Sequence, residues 1–598
     1  MKNKITNVAN LLQYKEESDK KAQLIAGVAG NSRHVVESVI PMQRLKNTPL
    51  VIAALLVPTL VVFMVFPVTA LAAGSSGCPT CGMVWKDSCA PFERNNEPAY
   101  IEEFNASFSH IASNLTSVLD WSTESWTNVP DVSNESWSNA FLAAHTILKE
   151  RYAFTQWKAI NWNALYNTYA PWIADAEKRQ DKAAYVRTLR EYQFSIPDGH
   201  VQLEYTDDFG AIYADVGGGY GLSVIQLDSG RVIVSYVANG SAAEKSGIRP
   251  GDEVTAWNGK KIHDAINATP YIWARMNPST AEGIRIQKQQ FLTRAPVGTP
   301  AMVVVSGKGD LQPRLVNLTA FDDRYDSYSK SVAFLDRQSQ SELVTYRTLP
   351  GGYSYIAILV ESYGVYQPFK SAMLATIANN SPGVILDLRN NGGGDDNLAS
   401  CFAGWFVDKP VFYEYGTKYD PGSRQFPVVW EIWTQPQPTS YHGPVAVLVS
   451  PSTISSGEGL PMVFANSHTG KIISPYGTNG AFGMVVSPGV RLPLNVTLNY
   501  PDGASLDQNS VIQVDSNASR AGGVAPQIRV PVNEDTVARY MAGEDVQLTY
   551  AVKWLDDQVK QGTPSAPMAT TTPTQRASPG IGIVVLAVGL FMVMMRRK

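Results

Sequence analysis

Val447-Leu-Val-Ser-Pro-Ser-Thr-Ile-Ser-Ser-Gly-Glu-Gly459 reads as a buried strand that ends, a turn, and a helix that begins near Ser456. A serine at that corner stands at the carboxyl edge of a sheet, where sites in α/β folds form. The N–H groups at the start of the helix have no partner within it and point outward, where they can hold an oxyanion. Ser455 is therefore the candidate nucleophile and the Ser456 amide a candidate oxyanion donor. The spacing also fits a plain helix start, because Ser455-x-x-Glu458 is a capping box in its own right.

Strands and helices alternate outward from this stretch. Residues 353–359 and 383–389 read as strands, 369–378 and 398–407 as helices, and 445–449 as another buried strand. The pattern predicts an α/β core with a mixed sheet and covering helices. Ile385-Leu-Asp-Leu-Arg-Asn-Asn-Gly-Gly-Gly394 runs from a strand into a glycine-rich loop able to expose the amides of Gly392 and Gly393. It lacks the Gly-Lys-Ser/Thr ending of a phosphate loop, and a mere tight turn is the other reading.

Upstream, apolar and aromatic residues recur at helical spacing from Glu135 to Arg190, through Phe141, Leu148, Tyr152, Trp157, Leu165, Tyr169 and Trp172. Ile196-Pro-Asp-Gly-His-Val-Gln-Leu203 follows, with His200 at its centre. Short strands then begin, and the block Gly240 to Ile262, with its Gly-Ile-Arg-Pro-Gly-Asp run and Asn258-Gly259 turn, resembles a PDZ domain. Such domains bind peptides by strand addition beside a loop that holds a terminal carboxylate. Here that loop would be Gly219, Tyr220, Gly221 and Leu222. A β-module that only packs on its neighbours is the alternative.

These signals occur in a fixed order: helical segment, PDZ-like block, core. In that order, and in Thr453-Ile-Ser-Ser-Gly-Glu458 and Gly522-Gly-Val-Ala-Pro-Gln-Ile-Arg-Val-Pro531, the chain resembles the tail-specific, or C-terminal processing, serine peptidases, including their tricorn-like branches. The likeness runs from about Glu135 to Val559. It implies Ser455 as nucleophile, with the Ser456, Gly392 and Gly393 amides at the oxyanion. One branch uses a lysine as base, but Gly480 stands about where that lysine would be. The other uses a histidine from an Asp-Gly-His-like block, which implies His200 as general base. Where tricorn-like members carry the orienting glutamate this chain has Arg520, so Asp515 and Glu458 are the substitutes. His442, His468 and Lys471 are rival bases. The implied activity is hydrolysis of protein or peptide substrates through an acyl-enzyme, with no metal or organic cofactor. The alternative is an inactive protease fold that binds peptides through its PDZ domain, and a third reading is a stalked, glycosylated structural protein of the cell envelope.

The 598 residues are 44% hydrophobic and 17% charged, with formal net charge −4 and no long basic run, which argues for several globular domains and against a nucleic-acid partner. Residues 48–73 read as a signal peptide or transmembrane helix and 579–598 as a C-terminal anchor. The latter resembles archaeal Pro-Gly-Phe sorting signals, with Ile581 in the third place. These predict single-pass segments at both ends, membrane contact through them, and a body at the cell surface. Asn-x-Ser/Thr sequons such as Asn134, Asn239 and Asn379 agree with that side. Cys78, Cys81 and Cys89 cluster after the first segment and suggest a disulfide more than a zinc site, whereas Cys401 reads as a buried core residue. The expected divisions are a polar extension (1–47), the first apolar segment (48–73), a cysteine-containing linker (74–134), a helical domain (135–208), the PDZ domain (209–310), a linker (311–339), the α/β peptidase core (340–560), a Thr/Pro-rich stalk (561–578) and the terminal segment (579–598).

Overall fold

The computed structural model describes residues 83–85, 89, 92, 130–205, 210–332, 342–485 and 489–561. Its centre is a six-stranded sheet in the order Val344–Thr348, Ser354–Ile358, Val384–Asp387, Val445–Leu448, Lys471–Ser474, Ile528–Arg529. The first strand is antiparallel to its neighbour and the other five are mutually parallel. Successive side chains on a strand point to opposite faces. Ile356, Val384, Leu386, Val445, Val447 and Ile472 therefore fill one core, with helices Tyr366–Ala378, Asp396–Ala403 and Ser456–Ser467. Tyr355, Ile385, Ala446, Leu448 and Ile473 fill the other, against Val546, Ala551 and Leu555 of helix Val546–Lys560. Burial on both faces is why these strands read as unbroken apolar runs.

Helices Trp137–Arg151, Trp162–Arg179 and Lys182–Phe194 form the N-terminal domain, started by Ser136, Asn161 and Asp181, whose side chains each accept a helix amide. Phe141, Leu148, Tyr152 and Tyr169 are buried as the spacing predicts, but Trp172 is exposed. A small sheet that includes Gln202–Glu204 and Val496–Asn499 closes this core, so a late part of the chain returns to the first domain. Strands Leu222–Gln226, Val232–Val237, Glu253–Trp257, Pro300–Ser306 and Arg314–Thr319 form the PDZ sheet, with Leu222–Gln226 at its edge.

Two expectations are corrected. Among the described residues no helix is long and apolar enough to cross a membrane, so the single-pass segments are not part of the described fold. The segments read that way, 48–73 and 579–598, lie outside the described residues. Cys89 pairs with Cys401 rather than within its own cluster; Cys401 is buried in the core as expected, and disulfide-bonded there. Cys78 and Cys81 are outside the described residues.

Candidate active site

Strand Val445–Leu448 delivers the chain to a turn whose last residue is Ser455 and whose continuation is helix Ser456–Ser467. Ser455 takes φ +61° and ψ −141°, and its side chain accepts no helix amide. The capping-box reading therefore fails: the backbone is bent away from the extended geometry a capping serine needs. The Glu458 carboxylate is directed elsewhere too. It accepts from the Thr478 hydroxyl, from Gly480 N–H at 2.7 Å and from Ala481 N–H at 2.9 Å. Burial pushes this carboxyl up to about 8, against the pull of those three donors.

The turn is fastened on several sides. Thr453 Oγ1 donates to the Leu388 carbonyl at 2.9 Å, Ile454 N–H to the Asn391 carbonyl at 3.1 Å, and Ser455 N–H to the Ala481 carbonyl at 3.0 Å. Gly393 lies so close that a Cβ on it would overlap the Ser455 Cβ, which only glycine allows at its φ of +80°. The glycine loop is thus beside Ser455, but its amides are engaged. Gly392 N–H donates to the Leu359 carbonyl at 2.9 Å and Gly393 N–H to Asn391 Oδ1 at 2.8 Å. Among the described residues no acceptor is recorded for the Ser456 N–H.

His200 is fully buried, and the turn that carries it packs on the loop that ends at Ser455. A Cβ on Gly199 would overlap Ile454 Cδ1, one residue before Ser455, and would press on Ala481, whose carbonyl holds the Ser455 amide. Gly199 N–H donates to Ser279 Oγ at 3.0 Å and Ser279 Oγ to Asn479 Oδ1 at 2.9 Å, which ties this turn to the PDZ domain and to the loop after Ser474. Burial holds the His200 imidazole down at about 4, Asp198 pulls it up and Lys158 pushes it further down. It is therefore neutral at pH 7, as a general base must be.

The carboxylate placed against His200 is Asp198, which the sequence reading passed over. Its Oδ1 accepts the His200 backbone N–H at 2.9 Å and lies 3.8 Å from Nδ1, and its Oδ2 accepts from Tyr152 at 2.7 Å. The signal was there: Asp198 stands two residues before the histidine in Asp-Gly-His. Asp515 engages Phe482 N–H at 2.9 Å and Lys158 at 3.3 Å, and burial pushes it up to about 7. Glu361 was also missed. It braces the glycine loop, donating its N–H to the Gly393 carbonyl at 3.0 Å and accepting from Asn391 Nδ2 at 2.7 Å.

The rival bases sit elsewhere. His442 pairs with Asp408 at the surface, and His468 caps the far end of helix Ser456–Ser467, about 18 Å along its axis from Ser455. Lys471 opens its strand at the amino edge of the sheet. Gly480 has φ +80° and fits closely against Thr280, Gly523 and Ser516, so no side chain stands where the Ser-Lys branch places its base.

The PDZ loop is occupied by the chain itself. Gly219 exchanges backbone bonds with Phe321 at 2.9 and 3.0 Å, Tyr220 is buried, and the Phe321 ring lies against Gly221. Leu222 begins the edge strand, on which Ser223 Oγ donates to the Ser327 carbonyl of helix Asp326–Val332. The Tyr328 ring packs 5.2 Å from Phe291 of helix Ala281–Leu292, and Tyr236 donates to Asp326 at 2.6 Å. The edge where a peptide strand would add is covered by residues 321–331.

Among the described residues no group of His, Cys, Asp and Glu could hold a metal ion. Residues 353–530 match the family model for Peptidase family S41, residues 218–289 that of a PDZ domain, and residues 133–186 that of the Tricorn protease C1 domain. No curated protein matches the chain by sequence. Among solved structures, mature CPAF is 13% identical with a TM-score of 0.51, over 73% of this chain and 99% of that one. The photosystem II D1 C-terminal processing protease is 18% identical with a TM-score of 0.32, over 69% of this chain and 98% of that one. The tricorn protease is 18% identical with a TM-score of 0.35, over 71% of this chain and 37% of that one.

Proposed function

We propose that this chain, a serine peptidase with a family S41 core and a PDZ domain, is an extracytoplasmic endopeptidase that cuts protein substrates through an acyl-enzyme on Ser455. The observation that carries the reading is the docking of the Asp198–His200 turn on Ile454, directly beside a serine whose hydroxyl is not used as a helix cap. The neutral His200 takes the Ser455 proton as the hydroxyl attacks the scissile carbonyl, and returns it to the leaving amine. Asp198 holds the ring and offsets the charge that forms on it. The Ser456 N–H faces the developing oxyanion, and Gly393 joins it once its loop turns the amide away from Asn391. Capture of a peptide by the PDZ edge strand requires displacement of residues 321–331. The Cys89–Cys401 disulfide supports an oxidising compartment.

The engaged Gly392 and Gly393 amides favour one second reading, an inactive protease fold that binds peptides. A fluorophosphonate probe separates the two. The enzyme is labelled at Ser455; Ser455→Ala removes the label and His200→Ala slows it by about 100-fold or more. A folded protein that takes no label, with or without added peptide, is the binder.

A further inference from the structure

Lys158 is a fully buried lysine that the mechanism above does not use. It lies in the turn after helix Trp137–Arg151, where its N–H donates to the Phe154 carbonyl. Its ammonium donates to the Pro197 carbonyl at 3.3 Å and to Ser516 Oγ at 3.1 Å, and lies 3.3 Å from Asp515 Oδ1 and 3.8 Å from Asp198 Oδ2. Each partner leads to the site in one or two bonds. Pro197 and Asp198 precede the base on its own turn. Asp515 accepts from Phe482, the neighbour of Ala481, and Ser516 N–H donates to the Gly480 carbonyl at 2.9 Å. A buried ammonium is costly unless it is paired, and here its partners belong to two segments far apart in sequence.

We propose that Lys158 is a positioning residue for the general base: its ammonium ties the turn that carries His200 to the loop that carries Asp515, and sets the charge the imidazole faces. The inference rests on His200 acting as that base. The charged groups acting on it are Asp198 on its own turn and Lys158 from the helical domain; behind them, Tyr152 of the helical domain bonds Asp198 and Asp515 of the closing loop pairs with Lys158. Glu458 of helix Ser456–Ser467 faces Asp515, and Arg520 faces Tyr152. Asp198 favours the imidazolium and Lys158 opposes it.

The experiment follows the acidic limb of kcat/KM for a quenched fluorescent peptide cut by the full chain. Asp515→Asn is compared with the double variant Lys158→Met/Asp515→Asn, so that no carboxylate is left without the lysine except Asp198. Loss of the cation then moves the limb upward by about one pH unit. A lysine that only holds the domains together leaves the limb in place, and that result, in a double variant with native circular dichroism, overturns the proposal. Should the double variant not fold, Lys158→Arg decides. It keeps the charge but moves it, so kcat falls by about tenfold or more with KM nearly unchanged; an unaltered kcat overturns the proposal. Ser455→Ala serves as the control for the site itself: if it still cuts the peptide, the active-site reading fails, whereas a dead Ser455→Ala with an unmoved limb rejects only the role of Lys158.

Discussion

Ser455 occupies a backbone region that glycine tolerates and serine does not, at φ +61° and ψ −141°. Such a conformation costs about 1–3 kcal/mol and persists only where the surroundings enforce it. Here the Ala481 carbonyl, Asn391 and the Gly393 contact do so. Ser455→Gly is therefore expected to be more stable than Ser455→Ala by about 1 kcal/mol in urea unfolding, while both lack hydrolysis. Equal midpoints would mean the turn is not strained. His200 gives a second expectation at this scale. Its folded pKa, about 4, lies below the 6.5 of a free imidazole, so the base stays active as pH falls below 6 and the acidic limb of kcat/KM lies near 4. The same depression makes the unfolded chain bind a proton first, so stability contributed by His200 is full above pH 6.5 and is lost as pH falls toward 4. A limb at 6 to 7 would show that the imidazole is solvated in the working enzyme. Ser455 and His200 are readable as candidates because each stands in a local motif, strand-turn-helix and Asp-Gly-His. Lys158 is not, because its partners Asp198 and Ser516 lie 40 and 358 positions away and buried charge pairing leaves no local pattern.

At the scale of elements, the PDZ sheet was readable from its turns, since Asn258 and Gly259 both take the positive φ that a two-residue hairpin needs. Its covering segment was not. Helix Asp326–Val332 has only seven residues and a polar sequence, and its place is set by Arg294, which holds Asp323 at 2.7 Å and Ser327 at 3.2 Å. A helix that short has little stability of its own, so its seat depends on the Tyr328–Phe291 and Ser223–Ser327 contacts. Tyr328→Ala is expected to speed amide exchange in the edge strand Leu222–Gln226 by about tenfold, and to leave the central strand Glu253–Trp257 protected. Exchange that rises equally in both strands would mean the substitution loosens the whole domain, and exchange that rises in neither would mean residues 321–331 are not a removable cover.

For the molecule as a whole, the candidate site is a junction of all three domains. The helical domain supplies His200, the core supplies Ser455, and the PDZ domain touches both through Ser279. The order of these domains was legible because each has its own period of apolar residues. The way they close on one another was not, since it rests on returns such as the pairing of Thr497 with Glu204. The disulfide belongs at this scale as well. Sequence counts cysteines but does not pair them, and Cys89 lies 312 positions from Cys401. Cys401 is on helix Asp396–Ala403, directly after the glycine loop, and Phe92, three residues after Cys89, packs against Tyr363 and Tyr366. Linking so long a loop restricts the unfolded chain by up to about 5 kcal/mol in the chain-entropy account. Cys89→Ser/Cys401→Ser is therefore expected to melt at a temperature lower by several degrees than the oxidised protein, and dithiothreitol to lower the melting temperature of the wild type to the same value. Because Asp395 N–H donates to the carbonyl of Glu361, whose own N–H holds the Gly393 carbonyl, the reduced protein should also take the fluorophosphonate label more slowly. A wild type whose melting and labelling ignore dithiothreitol, with the bond shown to be reduced by mass, would detach this bridge from both the stability and the site.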